Sequence, residues 1–221
     1  RCLDYNDTFN GLKTGGHPSD MVPGVLAAAE MAKLPGRAMI DGTFIAYEVF
    51  GTLADQIPLR DHATDQGPIL GLGVAAAISA IRRFNIEQAA NALSLTLTST
   101  MPLRSSRSGA LSMWKGGATG HSVGNAVLMT ALAERGMEGP PAAFRGVDAF
   151  LTKIPVEVDL AALGKSKAGQ TVIERTGFKY SPVEWGAQAS VEMFLNIAKR
   201  VRVDEIESIL IYGNEFLVKE I

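Results

Sequence analysis

Within the first twenty residues stand Asp4, Asn6, Asp7, Thr8, Asn10, Lys13, His17 and Asp20, just ahead of an apolar run with helical spacing. A histidine and several carboxylates in one short loop can move protons, while the hydroxyl, amide and ammonium groups beside them hold a polar substrate. Helix caps and Asx turns use the same residue types, and alone would account for Asp7, Thr8, Asn10 and Ser19. A second cluster runs from Arg104-Ser-Ser-Arg107 to Trp114-Lys115-Gly116-Gly117. Two guanidinium groups and an ammonium between two apolar helices suit a pocket for carboxylates, because the planar fork of arginine matches the two oxygens. The alternative is a solvated basic loop, but Met113-Trp114 predicts a segment packed down on the core, bringing Lys115 with it.

Other chemistries find less support. Gly71-Leu-Gly73-Val-Ala-Ala76 imitates a dinucleotide fingerprint, yet Thr64-Asp-Gln-Gly-Pro68 before it is no strand, and close helix packing explains the glycines better. Gly164-Lys165-Ser166 has the tail of a phosphate loop, but Asp159 occupies the position of its first glycine. The three histidines, His17, His62 and His121, lie far apart with no pair at i and i+4, so there is no zinc signature. Cys2, the single cysteine, cannot form an internal disulfide or hold an iron–sulfur cluster by itself, and suggests a reducing, cytoplasmic setting. A net charge of −2 gives no general attraction to nucleic acid or anionic membrane, and no apolar run reaches the roughly 18 residues of a membrane span. No segment resembles a signal peptide.

The elements that would carry these residues are mostly helical. Ser19 or Asp20 can cap a helix that uses Met21, Val22, Val25, Leu26 and Ala29 and ends near Lys33, before Pro35-Gly36. The spacing predicts a second helix over about 37–54, burying Ile40, Phe44, Val49 and Leu53, and a third over about 68–84, so rich in Ala, Gly and Ile that it must be central. A fourth starts at Asn85-Ile86 with Ala89, Ala90, Leu93 and Leu97 inward, and a fifth covers about 121–135. After Gly139-Pro140-Pro141 the periodicity weakens, and residues 164–169 read as a flexible connection. A helix over 187–200 and a β-branched strand over 205–212 then suggest a second, α+β unit. The chain begins without methionine inside a polar motif and stops at Phe216 to Ile221, which reads as the interior of an element, so a longer parent protein is expected.

Taken in order, Leu3-Asp4-Tyr-Asn-Asp7-Thr8, His17-Pro-Ser-Asp20, Ala27-Ala-Ala-Glu30, Ala46-Tyr-Glu48-Val, Leu111-Ser-Met-Trp-Lys115-Gly and Gly136-Met-Glu-Gly-Pro140 resemble the MmgE/PrpD family over essentially the whole chain. The resemblance implies a mainly α fold: a helical domain over 1–140, a connection over 141–176 and the start of an α+β lid over 177–221. It also implies a homodimer and a site between the two domains. Asp4, Thr8 and His17 are similar to the family's active-site Asp, Thr and His, although the spacer between Thr8 and His17 is longer than in the decarboxylase branch. Lys115 looks like the site lysine of the helical domain, and Lys179 like the lysine contributed by the lid. Where many members carry a lid histidine, this chain reads Val183-Glu184-Trp185-Gly186-Ala187-Gln188, which leaves Glu184 as a conceivable replacement.

The implied chemistry is loss of water from a hydroxylated polycarboxylate such as 2-methylcitrate, without a cofactor, metal or iron–sulfur cluster. It needs a base for a carbon-bound proton, an acid for the departing hydroxide and cations for the carboxylates. His17 and Asp4 are the candidate acid/base pair; Lys115 and Lys179, with Arg104 and Arg107, are the candidate clamp. Decarboxylation or epimerisation of a similar substrate would use the same groups, and a degenerate homologue would only bind small acids or serve as a dimerisation scaffold. In this reading Asp7, Asn10 and Ser19 shape the loop, and Asp20 caps the helix.

Overall fold

The computed structural model of the chain describes residues 5–108, 110–165 and 169–213. They divide into two compact units, a larger one within Asp7–Gly177 and a smaller one of residues 178–213 with residues 5–6. The fold is mainly α. Strands β1 (Asp7–Asn10), β2 (Gly15–Gly16) and β3 (Gly177–Phe178) are short, whereas helices α1 (Val22–Met31), α2 (Gly36–Ala54), α3 (Gly67–Ile81), α4 (Ile86–Ser99) and α5 (Trp114–Glu134) supply most of the regular structure of the larger unit.

Helix α3 is the centre of that unit and packs against α1, α2, α4 and α5. Its residues Ile69, Leu70, Val74, Ala77 and Ile78 are all buried, as its composition predicts. The glycines of its nucleotide-like motif serve this packing. A Cβ on Gly73 would lie 2.5 Å from the Met21 sulfur and 2.9 Å from the Ala46 carbonyl, and one on Gly71 would lie 2.9 Å from Thr96. Helix α4 starts on a capping box, in which Gln88 N donates to Asn85 Oδ1 at 2.8 Å and Asn85 N to Gln88 Oε1 at 3.2 Å.

Several expectations are corrected. Ile40 (66% exposed) and Phe44 (42%) lie on the outer side of α2, and Ala90 is exposed on α4. The buried side of α2 runs instead through Gly42, Ala46, Tyr47, Phe50 and Leu53, because Tyr47 and Glu48 find polar partners that allow them inside. Helix α5 begins at Trp114, seven residues before the expected His121. Gly116, Gly117 and Gly120 weaken its first turns, but burial of Ala118, Thr119, Ser122 and Val123 outweighs their poor propensity.

Among the described residues of 143–172, Phe150, Ile154, Val158 and Val172 join the same core, and the regular structure is one short helix, α6 (Phe150–Lys153), and a 3-10 turn at Leu160–Ala162. Of the expected flexible stretch, residues 166–168 lie outside those described. In the smaller unit, α7 (Gln188–Ile197) matches the expected helix. The expected strand at 205–212 does not form among the described residues: Val203–Glu205 is a 3-10 turn and residues 206–213 are irregular. β-branched residues favour a strand only when a neighbouring strand supplies hydrogen bonds, and none is described there. Among the described residues no helix is long and apolar enough to cross a membrane.

Candidate functional site

The polar loop at the start of the larger unit is a hairpin docked on the C-terminal end of α2. Phe9 is paired with Gly16 and Asn10 with Gly15. Lys13 N and Thr14 N both donate to the Ala54 carbonyl (3.2 and 2.9 Å), and Leu12 N donates to Asp55 Oδ1 at 3.0 Å. The hairpin thereby satisfies a carbonyl that the end of α2 leaves open. Thr14 is buried, and its hydroxyl donates to Ile57 O at 2.6 Å and accepts from Leu59 N at 3.1 Å. Phe9 packs edge-on against Phe50, and the Arg175 guanidinium lies 4.8 Å over the Phe9 ring while pairing with Asp55 at 2.9 Å.

This anchored hairpin delivers His17. Its Nδ1 is 2.6 Å from the Asp7 carbonyl oxygen. A carbonyl can only accept, so Nδ1 carries the proton and, in the neutral ring, the lone pair sits on Nε2. Thr8 Oγ1 lies 3.4 Å from the same Nδ1, a longer second contact. On the other side His17 N donates to Gln66 Oε1 at 2.7 Å. Gln66 is buried and stands at the N-cap position of α3, where its own N takes Asp65 Oδ1 at 2.8 Å. Gly16 makes room for this arrangement: a Cβ there would fall 2.0 Å from Gln66 Oε1 and 2.7 Å from the Phe50 ring.

Asp7 shapes the loop, as expected. Its carboxylate accepts from Ser19 N at 3.0 Å and from the Tyr47 hydroxyl at 2.7 Å. Asp7 thus caps the 3-10 turn Pro18–Met21 from a distance, and neither Ser19 nor Asp20 provides the side-chain cap expected of them. Burial, first of all, pushes the Tyr47 phenol far above its ordinary range; the Asp7 charge, the hydrogen bond to it and the Asp20 charge add to the effect. Tyr47 therefore stays a donor to Asp7 at any working pH.

The arginine segment meets the same place by its backbone. Asp65 N donates to Pro102 O at 3.0 Å, Arg104 N donates to Ala63 O at 2.9 Å, and Thr64 bridges Leu103. Arg104 is buried, and Arg107 Nη2 pairs with Asp65 Oδ2 at 2.7 Å. Beyond Arg107 the expectation of a packed-down segment is corrected. Met113 is fully exposed and Trp114 is 53% exposed. Trp114 is part of a helix and its ring faces His121 at 5.7 Å, so it does not need the core for support. Lys115 is half-buried in the first turn of α5, and among the described residues its side chain takes no part in the bonds around His17.

The remaining candidates divide as follows. Asp4 and Cys2 lie outside the described residues. Lys179 is a buried residue of the smaller unit, where Gln188 organises the loop that follows it: Gln188 Oε1 accepts from Tyr180 N and Ser181 N, both at 3.0 Å, and its Nε2 donates to Ser181 O at 2.9 Å. Glu184 is engaged locally, its carboxylate accepting from Gly186 N to cap the turn Trp185–Ala187. A concavity of about 680 Å³ lined by Arg37, Asp41, Arg82 and Glu134 lies at the opposite ends of α2 and α3 from His17 and holds none of the expected residues. Among the described residues no three of His, Cys, Asp and Glu assemble as metal ligands. Sequence reasoning missed Thr14, Tyr47, Asp65 and Gln66 as supports of the site. Only Tyr47 carried a signal, a phenol beside Glu48 in an otherwise apolar helical stripe.

Comparison with known proteins agrees with the motif order. Residues 1–156 match the model of the MmgE/PrpD N-terminal domain. The chain belongs to the MmgE/PrpD family. It is 26% identical over 245 aligned positions to a protein of Escherichia coli O157:H7 named 2-methylcitrate dehydratase, covering 99% of this chain and 48% of that one. It is 27% identical over 238 positions to the mitochondrial 2-methylcitrate dehydratase of Yarrowia lipolytica, covering 97% and 44%. A third MmgE/PrpD relative, the 2-methylcitrate dehydratase of Salmonella typhimurium, is 24% identical over 217 positions, covering 91% and 44%. The chain spans about half the length of the curated relatives it matches.

Proposed function

We propose that the protein to which this chain belongs is a carbon–oxygen lyase that removes water from 2-methylcitrate or a related polycarboxylate. The observation that carries the reading is His17: its Nδ1 lies 2.6 Å from the Asp7 carbonyl on an anchored hairpin, which fixes the proton on Nδ1 and leaves Nε2 as the acceptor nitrogen of the neutral ring. Family membership and the names of the relatives support the choice of substrate class. In this reading His17 and Asp4 exchange protons with the reacting carbon and the leaving hydroxyl. Thr8 lines the site, and Lys115, Lys179 and Arg104 hold the carboxylates and the negative charge that develops on them. The domain arrangement proposed with it is a helical domain over 1–140, a connection over 141–176 and the beginning of a lid over 177–221, in a cytoplasmic homodimer that needs no cofactor.

The test is turnover by the full-length protein of 2-methylcitrate, citrate and cis-aconitate. Absorbance of a new conjugated alkene, abolished in His17→Asn, is the expected result. Release of CO2 from cis-aconitate would mark a decarboxylase, and inversion of a stereocentre without alkene an epimerase. No change in any polycarboxylate would overturn the reading and leave a binding or dimerisation scaffold.

A further inference from the structure

We propose that Arg107 and Asp65 act on the reaction as positioning residues, through Gln66 and His17, and that Arg107 is not part of the carboxylate clamp; this rests on the lyase reading above. A continuous chain of polar contacts supports it. Arg107 Nη2 meets Asp65 Oδ2 at 2.7 Å, Asp65 Oδ1 accepts from Gln66 N at 2.8 Å, Gln66 Oε1 accepts from His17 N at 2.7 Å, and His17 Nδ1 donates to the Asp7 carbonyl at 2.6 Å. The intermediate members are rigid. Asp65 and Gln66 are 4% and 3% exposed, and the Arg107 side chain is largely buried as well.

The two oxygens of Asp65 face in different directions, one toward the start of α3 and one toward Arg107. A buried carboxylate that loses its cation must turn toward another partner, and that change alters the oxygen that holds Gln66 N. The Gln66 amide lies close against the Gly16 backbone, where a Cβ would fall 2.0 Å from Oε1, and its Oε1 is held by His17 N at 2.7 Å. The displacement therefore passes to the His17 backbone. A reacting group misplaced by about 1 Å can lose up to about 100-fold in rate without any loss of substrate contact. A clamp arginine behaves differently: its removal weakens binding of the substrate and does not involve Asp65.

The experiment is a double-mutant cycle in the full-length protein with Asp65→Asn and Arg107→Met, joined by Gln66→Met and the conservative Gln66→Glu, which keeps the acceptor. Each of the three disruptive variants is expected to lower kcat by about 10- to 100-fold with KM changed by less than about threefold, and the double variant to be no worse than the poorer single one. Gln66→Glu should recover most of the loss. Alongside, the 15N signals of His17 should pass in Arg107→Met from a single Nδ1-protonated tautomer to a mixture. A large rise in KM for Arg107→Met with kcat intact, effects that multiply in the double variant, or a His17 spectrum unchanged by loss of Arg107 would each overturn the proposal. The nitrogen signals need no turnover, so an inactive wild-type protein would overturn the lyase reading while the spectrum still decides whether Arg107 positions His17.

Discussion

The hairpin around His17 and the segment from Leu103 to Gly117 have similar inventories of polar and charged groups, yet they are held in opposite ways. The hairpin is fixed at three of its polar residues by partners 40 or more positions away: Thr14 by Ile57 and Leu59, Asp7 by Tyr47, His17 by Gln66. Among the described residues, the second segment's bonds to other parts of the chain lie at its beginning, where Arg104 N reaches Ala63 O and Arg107 reaches Asp65, while Ser112 bonds only within the segment, to Ser106 O. By Leu111, Met113 and Trp114 it is exposed. Residue type thus marks both as candidates, but only the hairpin has the rigidity that proton transfer requires.

Breaking the hairpin at its centre should have the largest effect. His17→Asn in the full-length protein is expected to lower kcat by about 100- to 10,000-fold while the circular dichroism spectrum is retained. Gly16→Ala comes next, since the added methyl overlaps Gln66 and Phe50. Overpacking of this kind costs about 1–3 kcal/mol and should appear as a lower urea midpoint together with reduced activity.

Tyr47→Phe removes a buried hydrogen bond to a carboxylate, at a cost of about 1.5–3 kcal/mol. It also has a pH signature. The phenol is raised above its unfolded value of about 10, so its contribution is complete below that pH and is lost as pH climbs toward the folded value. Urea melts of wild type should therefore weaken on the alkaline side of about pH 10, and those of Tyr47→Phe should lack that part of the slope.

The other region should respond little, and in the opposite sense. A Cβ on Gly116 meets nothing within 4 Å, so Gly116→Ala should stabilise α5 by about 0.5–1 kcal/mol. Met113→Ala should stay within about 0.5 kcal/mol of wild type, because the side chain is already in water. A loss of 2 kcal/mol or more at Met113 would remove the contrast between the two regions.

How far the sequence could be read depended on the range of the interactions. Local signals worked well: Pro35-Gly36 and the apolar period set α2 to within a residue, and Asn85 with Gln88 marked the start of α4. His17 and Thr8 stood out because a histidine and a hydroxyl in a polar loop are distinctive, and they do lie together. The side of α2 that faces inward was not readable, since Tyr47 and Glu48 are buried only through Asp7 and through Val172 N, 124 positions along the chain. Gln66 and Asp65 look like ordinary helix-start residues; their importance comes from what the hairpin brings to them. The β-branched run after Glu205 failed for the complementary reason, a propensity without a described partner strand.

Thr14 carries one more consequence. Its hydroxyl sits where a peptide group would sit in a strand, giving a hydrogen to one main-chain carbonyl and taking one from the next amide but one. At this position valence matters more than shape: serine, smaller and more flexible, can serve in its place, whereas valine, which has the same outline, offers neither donor nor acceptor and leaves Ile57 O and Leu59 N with only their 3.0 Å bond to each other.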